Sequence, residues 1–481
     1  MKLHTLLHGI VLTNLPDIEI NSVTSDSHNV CEGSLFVCIK GKNFDGHDFA
    51  QKMIENGAKA IVCERDLGIE NQIIVQNTRI AYSYICANWF DHPEKKLKIV
   101  GVTGTNGKTT ITTVLQKVIT SCGKKTGLIG TSHNGIGDKV MQTERTTPES
   151  FELFKLLRQM IDEGCEYVAM EVSSQALEQH RTDPINYAAA IFTNLTQDHL
   201  DVHGTMENYY QAKKLIFKSC NFALINADDE AGRRYFVEIN CPKYSYTIEN
   251  KGDYYTDCVK LSADGSTFWF SDGIRTFHVS LIMPGYFNVS NMTAVIACCD
   301  KLGFDVNKVI EVISSYKGVK GRAEVLETGT DFKVICDYAH TPDALEKILT
   351  NIRAVTKERL ICLFGCGGNR DRKKRPIMAS IAAKNSDYVI VTSDNPRNED
   401  PDDIIKEVIT GFENTDTPFY TETDRRKAIF HALKIAQKGD IILLAGKGHE
   451  DYQVLANETK IHFDEREAVA EGLELLKSGQ L

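Results

Sequence analysis

The stretch "VTGTNGKTT", Val102 to Thr110, limits the fold more than any other part of the chain. Upstream, "LKIVGVT" is a short apolar run of strand type. Downstream, Ile111, Val114, Leu115, Val118 and Ile119 recur at helical spacing, and Gly123 stands where that helix should stop. The two glycines therefore fall on a strand-to-helix turn, where free backbone N–H groups and the helix dipole attract anions. Gly104 and Gly107 would let the backbone approach a polyphosphate. Lys108 would reach the β- and γ-phosphates, and the Thr109 hydroxyl would hold Mg²⁺. The strict pattern G-x-x-x-x-G-K-[ST] is not met, because its first position falls on Val102 and Gly101 comes one place too early. The alternatives are a nucleotide cradle and an ordinary glycine-rich turn. The lysine, the threonine pair, the strand and the helix together favour the cradle.

At 481 residues the chain is expected to form three domains. Residues 1–97 mix short strands ("GSLFVCIKG", "KAIVCER") with helices and end near the polar "FDHPEKKLK". From 98 to 323 strands and helices alternate. "EYVAMEVSS" and "AAAIFTNL" are near-continuous apolar runs of the buried parallel type, and "TFWFSDGIRTFHVSL" reads as an antiparallel hairpin. From 324 to 481 the alternation starts again, in "FKVICDYAH", "RLICLFGCGG", "DYVIVTSDNP" and "DIILLAGKGHE". Each of these strands runs out into a polar tail, and open parallel sheets bind ligands at such carboxyl ends. The fold class expected is α/β. A central P-loop domain with a parallel sheet is flanked by an N-terminal α/β domain and a C-terminal Rossmann-like one.

A net charge of −10 argues against nucleic-acid and membrane-surface partners. The N-terminus lacks the pattern of a signal peptide, and no apolar run is long enough for a membrane span. The 14 cysteines are scattered; Cys362 and Cys366 lie close, but no second pair completes a zinc site. Reduced thiols in a cytoplasm are expected.

Several residues at strand ends are chemically suggestive. Glu171 closes "YVAMEVSS" and is either a capping group or a metal ligand. "NLTQDHLDVHG" gathers two Asp and two His, including His199. Lys213, in "YYQAKKLIF", reads by itself as a solvated helix lysine. Asp337 either caps its loop or binds a ribose hydroxyl. Arg397, in "DNPRNEDP", is either surface charge or a carboxylate clamp, the role in which a guanidinium excels.

Taken together, "GVTGTNGKTT", "AMEVSSQALEQHR", "TNLTQDHLDVHG", "YYQAKKLIF", "MPGYFNVSNMTAV", "DYAHTPDAL", "GCGGNRDRKKRP", "DNPRNEDP" and "AGKGHEDYQ" resemble, in this order, the Mur ligase family of cell-wall enzymes, and the resemblance runs along essentially the whole chain. It accounts for Val102, because that family uses G-T-N-G-K-T-T. It implies that the N-terminal domain takes a uridine nucleotide with Ser27, Lys42, Asn43 and Phe44. ATP is implied at Gly104, Thr105, Asn106, Gly107, Lys108, Thr109 and Thr110, with Asn288 and Asn291 near the adenine and Arg322 and Asp337 at the nucleotide's outer edge. Thr146, Thr147, Ser173, Gln179 and Arg181 match contacts to a UDP-linked muramoyl dipeptide. Thr109, Glu171, His199 and a carbamate formed from CO₂ on Lys213 match the Mg²⁺ set; the carbamate would turn a repelling ammonium into an oxygen ligand. Lys108, Glu171, His199 and Lys213 are the implied catalytic residues. Arg145 departs from the pattern, because an asparagine is common there.

Arg370, Asp394, Asn395, Pro396, Arg397, Gly446 and Glu450 match the positions that hold an incoming amino acid. Meso-diaminopimelate carries a distal carboxylate and L-lysine does not, so a clamp at Arg397 selects the former. The resemblance implies an acyl-phosphate-forming amide ligase of peptidoglycan precursor synthesis, acting in the cytoplasm as a monomer on small molecules. The alternatives are a lysine-adding ligase of the family, a folylpolyglutamate synthetase and a silent nucleotide-binding regulator.

Overall fold

Strands of three to nine residues, the buried ones drawn from apolar runs, build three α/β sheets. The computed structural model describes residues 1–11, 16–41, 44–137, 139–143, 145–262 and 265–481, apart from the side chain of Asp201. By internal contacts the chain divides into two units. The first comprises 1–104, 115–193 and 205–244, and the second 105–114, 194–204 and 245–481.

In the first unit, β1 (Ser22–Thr24), β2 (Ser34–Val37), β3 (Ala58–Cys63) and β4 (Gln72–Ile74) pair in that order, all parallel. A second sheet is built from β5 (Lys98–Thr103), β6 (Thr126–Ile129), β7 (Asn134–Ile136), β8 (Lys139–Met141), β9 (Tyr167–Glu171), β10 (Ala189–Phe192) and β11 (Ala223–Asn226). Its order is β11-β10-β5-β9-β6-β7-β8, parallel from β11 to β6 and antiparallel beyond. All five residues of β9 and all four of β10 are buried, as both faces of a parallel sheet require.

β5 feeds the glycine turn and then the helix Lys108–Ser121. Ile111, Val114, Leu115, Val118 and Ile119 are all buried. At its end Gly123 takes φ +89°, and the Lys124 N–H reaches back to Ile119 O at 3.1 Å, the closure a glycine permits after a helix.

In the second unit, β12 (Lys243–Thr247) pairs with β13 (Tyr254–Ser262) through Tyr246 and Thr247. β13, β14 (Gly265–Ser271) and β15 (Thr276–Leu281) follow antiparallel, so the expected hairpin forms. Its turn is closed by Asp272 Oδ1, which accepts from Ile274 N at 2.9 Å and Arg275 N at 2.6 Å.

The C-terminal sheet contains β16 (Glu324–Leu326), β17 (Lys333–Asp337), β18 (Leu360–Cys366), β19 (Tyr388–Ser393), β20 (Phe419–Glu422) and β21 (Ile441–Ala445). Its order is β16-β17-β21-β18-β19-β20, and only β16 is antiparallel. Inserting β21 between β17 and β18 brings Asp337, Ser393 and Ala445 to the same end of the sheet. The hairpin β22 (Tyr452–Val454) and β23 (Lys460–His462) stands beside that end, where Arg397 N donates to Val454 O at 3.0 Å. Pro342 opens the helix after β17 and Thr341 caps it, accepting from Ala344 N at 3.3 Å. All 14 cysteines are free thiols.

Candidate active site

Gly104 (φ +146°) and Gly107 (φ +89°) hold the turn in conformations that a side chain would strain. The loop is pinned by the segment after β10. Thr105 N donates to Asn194 O at 2.8 Å, Asn106 N to Asn194 Oδ1 at 2.9 Å, and Thr196 N to Thr105 Oγ1 at 3.0 Å. Lys108 Nζ folds back on Thr105 O at 2.8 Å. Thr109 and Thr110 are buried, and Thr109 Oγ1 accepts from Arg322 Nη2 at 3.2 Å. A fixed concave backbone, a helix N-terminus and a lysine beside it make an anion cradle.

Arg322 also stacks 4.6 Å from the Tyr338 ring, and its buried Nε lacks a partner among the described residues. Asp337 caps its loop, accepting from Ala323 N at 2.7 Å and Ala339 N at 2.8 Å. Burial raises its pKa, opposed by the Arg322 charge. Asn288 and Asn291 lie buried on the helix Tyr286–Lys301, with Asn288 Nδ2 on Pro284 O at 2.8 Å.

Glu171 does not cap a helix. Its carboxylate accepts from Thr131 N at 2.8 Å and Thr131 Oγ1 at 3.0 Å, and a Cβ at Gly130 would collide with it. Lys213 is the clearest departure from the residue-by-residue reading: it is 1% exposed, not solvated. Its Nζ donates to Gly104 O at 2.9 Å and lies 4.3 Å from the Tyr209 ring. His199 takes φ +53° and keeps its Nε2 3.4 Å from Asp198 Oδ2. Among the described residues no three His, Cys, Asp or Glu side chains converge as a metal cluster. The implied Mg²⁺ set contains only Glu171 and His199 of those types. The resemblance completes that set with Thr109 and a modified Lys213. The Lys213 ammonium is buried at the foot of the loop, so the donor set suits a divalent cation only once that charge is reversed.

In the first unit a cavity of about 380 Å³ is lined by Ser25, Phe44, Arg79, Arg145, Gln179 and Arg181 among others. Arg181 Nη1 donates to Thr147 O at 2.9 Å and Nη2 to Gln179 Oε1 at 2.6 Å; its buried Nε lacks a partner among the described residues. Its pKa is pushed down to about 10 by burial and then by the charges of Arg145 and Arg79. Glu149 pairs with both Arg145 and Arg181. Three guanidinium groups around one carboxylate make this cavity attractive to anions. The other implied substrate residues sit beside the strand ends. Thr147 Oγ1 donates to Glu171 O at 2.9 Å, Thr146 Oγ1 meets Thr131 Oγ1 at 2.9 Å, and Ser173 caps the helix Ser174–Glu178. Ser27 opens the 3₁₀ turn Ser27–Asn29. Lys42 and Asn43 lie outside the described residues.

The positions that the resemblance gives to an amino acid converge at the C-terminal sheet. Asp394, Asn395 and Pro396 are buried after β19. Arg397 takes φ +52° and donates from Nη1 to Gly368 O at 2.9 Å, beside the exposed Arg370. Burial and the Arg370 charge lower the Arg397 pKa, opposed by the charges of Asp394 and Glu450. Glu450 Oε2 accepts from Asn395 Nδ2 at 3.1 Å, and Gly446 turns at φ +117°.

Residue reasoning missed three groups here. Lys447 is fully buried among these side chains. The buried pair Arg425–Glu465 (2.6 Å) ties β19 to β21, with Arg425 donating to Ser393 O and Ala445 O. Lys447 could have been found, because it stands in "AGKGHE" between two implied residues. Arg425 and Glu465 open helices, where charges are usually solvated, and gave no signal.

The Mur ligase middle domain family matches residues 102–299, the Mur ligase glutamate ligase domain matches 321–448, and the Mur ligase family catalytic domain matches 19–94. The chain is 45% identical, over 95% of each sequence, to UDP-N-acetylmuramoyl-L-alanyl-D-glutamate–2,6-diaminopimelate ligase 1 of Clostridium acetobutylicum. It is 42% identical to the corresponding ligase of Clostridium tetani, over 99% of this chain and 100% of that one. A solved structure of UDP-N-acetylmuramoyl-L-alanyl-D-glutamate–2,6-diaminopimelate ligase is similar at TM-score 0.73 and 31% identity, over 99% of both chains. A MurF ligase from Thermotoga maritima in complex with ADP shares the fold at TM-score 0.60 and 20% identity, over 97% of this chain and 99% of that one. The glycine cradle, the three α/β sheets and these matches along nearly the full length agree, and the chain belongs to the Mur ligase family, with its three-domain α/β fold.

Proposed function

We propose that this chain is an ATP-dependent ligase that joins meso-diaminopimelate to the D-glutamate of UDP-N-acetylmuramoyl-L-Ala-D-Glu, a step of peptidoglycan precursor synthesis. The observation that carries the reading is the side-chain cluster at the C-terminal sheet, where Arg397 lies within reach of the charges of Arg370, Asp394 and Glu450. Diaminopimelate has a carboxylate for the cations and an ammonium for the carboxylates. With L-lysine the Arg397 cation would face a methylene and stay unpaired. The full-length likeness to ligases named for diaminopimelate supports the same choice.

The chemistry follows from the residues. Amides of the Thr105–Thr110 loop and the helix N-terminus bind the ATP phosphates. Lys108 exchanges a neutral carbonyl for phosphoryl oxygens, an acceptor that gains charge as transfer proceeds. Arg322 and Asp337 border the nucleotide, and Asn288 and Asn291 lie toward the adenine. The arginine-rich cavity, with Arg181 at its centre, draws in the anionic UDP-linked dipeptide, with Ser27, Lys42, Asn43, Phe44, Thr146, Thr147, Ser173 and Gln179 completing its site. The γ-carboxylate of D-glutamate attacks the γ-phosphate, ADP leaves, and an acyl phosphate forms. The other amine of diaminopimelate, as the neutral base, attacks the acyl carbon, expels phosphate and loses its proton to leave an amide. Positioning carries most of the rate, and no protein nucleophile takes part.

Thr109, Glu171, His199 and a carbamate on Lys213 would hold Mg²⁺, which supplies charge neutralisation at the phosphates when bound. The functional domains are taken as 1–97, 98–323 and 324–481. Among the described residues no helix is long and apolar enough to cross a membrane. The protein is read as a cytoplasmic monomer acting on small molecules.

The test is phosphate release from ATP with the UDP-linked dipeptide and either meso-diaminopimelate or L-lysine. Turnover with diaminopimelate alone is the expected result. Preference for lysine overturns the pocket assignment, and ATP binding without substrate-dependent phosphate release points to a regulator.

A further inference from the structure

Lys447 follows β21 and has no solvent exposure. Its Nζ donates to Asn395 Oδ1 at 2.6 Å, Tyr452 O at 2.8 Å and Glu450 Oε2 at 3.2 Å, and lies 3.1 Å from Asp394 Oδ1. These oxygens come from three separate segments: the end of β19, the tail of β21 and β22. An ammonium has three N–H groups, so it is fully committed, and no donor remains for a ligand.

Two consequences bear on the pocket. Asn395 Oδ1 receives both Lys447 Nζ and Val454 N, the latter at 3.0 Å, which occupies both lone pairs. The amide therefore cannot flip. Its Nδ2 must face Glu450, where it donates at 3.1 Å. The second consequence concerns charge. Lys447 is one cation between two carboxylates, Asp394 and Glu450. Its charge helps hold the buried Asp394 below the usual carboxylate range against the cost of burial. Arg397 and Arg425 act on the same carboxylates from outside this contact, and Lys447 is the cation that lies between them. Without Lys447 the two carboxylates would repel and Asn395 could turn its oxygen toward Glu450.

We infer that Lys447 is the positioning residue of the amino-acid pocket: without touching the substrate, it locks the Asn395 amide and spaces Asp394 and Glu450 so that they receive the ammonium of the incoming amino acid. The inference rests on the function proposed above. A plain structural staple would stabilise the domain without changing how the amino acid binds, so the two roles separate kinetically.

The experiment uses the full chain with Lys447→Met. KM for meso-diaminopimelate is expected to rise roughly 10- to 100-fold, the size of one or two hydrogen bonds to charged groups. Acyl-phosphate formation, followed as positional isotope exchange in ATP with the dipeptide and no amino acid, should stay within about twofold of the parent, because the half-reaction does not use this pocket. Lys447→Arg, which restores the charge, should recover part of KM. An unchanged KM, or isotope exchange that falls as far as turnover does, overturns the inference. If Lys447→Met does not fold, Lys447→Gln carries the test: it keeps N–H donors but removes the charge between Asp394 and Glu450, so KM should rise, and an unchanged KM overturns the inference. The parent is assayed with L-lysine in parallel. If the parent uses lysine instead, the diaminopimelate reading falls, and the same KM comparison made with lysine still decides the role of Lys447.

Discussion

The turn after β5 and the cluster after β19 and β21 both lie at the carboxyl ends of parallel strands, yet they are built from opposite materials. At the turn, main-chain groups do the holding: two glycines at positive φ, a row of amides and a helix N-terminus. At the cluster, side chains do it: Asp394, Asn395, Lys447 and Glu450 are drawn together around a buried ammonium. A phosphate is nearly symmetric and highly charged, so unspecialised backbone donors suffice. An amino acid must be told from close analogues, and that requires groups left unpaired by the wrong ligand. Backbone recognition is local in sequence. Side-chain recognition depends on which strands the topology makes neighbours.

This contrast can be broken at either end. The largest effect is expected for Lys108→Ala, which removes the lysine that the cradle itself carries. Positional isotope exchange should fall by a factor of about 10³ or more, and near-parental exchange would refute the assignment of the loop. Next comes Arg397→Ala. It should lower kcat/KM for diaminopimelate by roughly 10- to 100-fold and leave isotope exchange unaffected, which sharpens the separation of the two regions. If exchange falls equally, the two sites are not independent. Gly107→Ala probes the main-chain side alone. A Cβ at φ +89° costs about 1–2 kcal/mol, read as a lower melting temperature together with a raised KM for ATP; a neutral result would mean the turn tolerates a side chain. The smallest change is expected for Ser173→Ala. Loss of its cap on Ala176 N should cost about 1 kcal/mol of stability in denaturant titrations, with KM for diaminopimelate unchanged.

Much of the fold could be read from the chain. The strand "LKIVGVT", the helix that follows, its glycine stop and the hairpin at Phe268–Phe277 all lie where periodicity and turn residues put them. Lys213 could not be read this way. Its helix pattern is that of a surface lysine, and only tertiary contacts of the helix Met206–Lys214, among them Nζ on Gly104 O, bury it. Glu171 was ambiguous for a similar reason: its partner, Thr131, is 40 residues away in the chain.

What the sequence determined by itself is the set of elements and the glycine turn, because both rest largely on interactions within a few residues: glycine φ, helix capping and short apolar runs; the pins of that turn on Asn194 and Thr196 are long-range. What the tertiary structure decided is the side-chain cluster at the C-terminal sheet that is proposed above as the amino-acid pocket. Asn395, Lys447 and Tyr452 meet only because β21 is inserted between β17 and β18 and a hairpin folds back beside them. A buried ammonium is tolerable only when several acceptors reach it together, and no local pattern in a chain records that convergence.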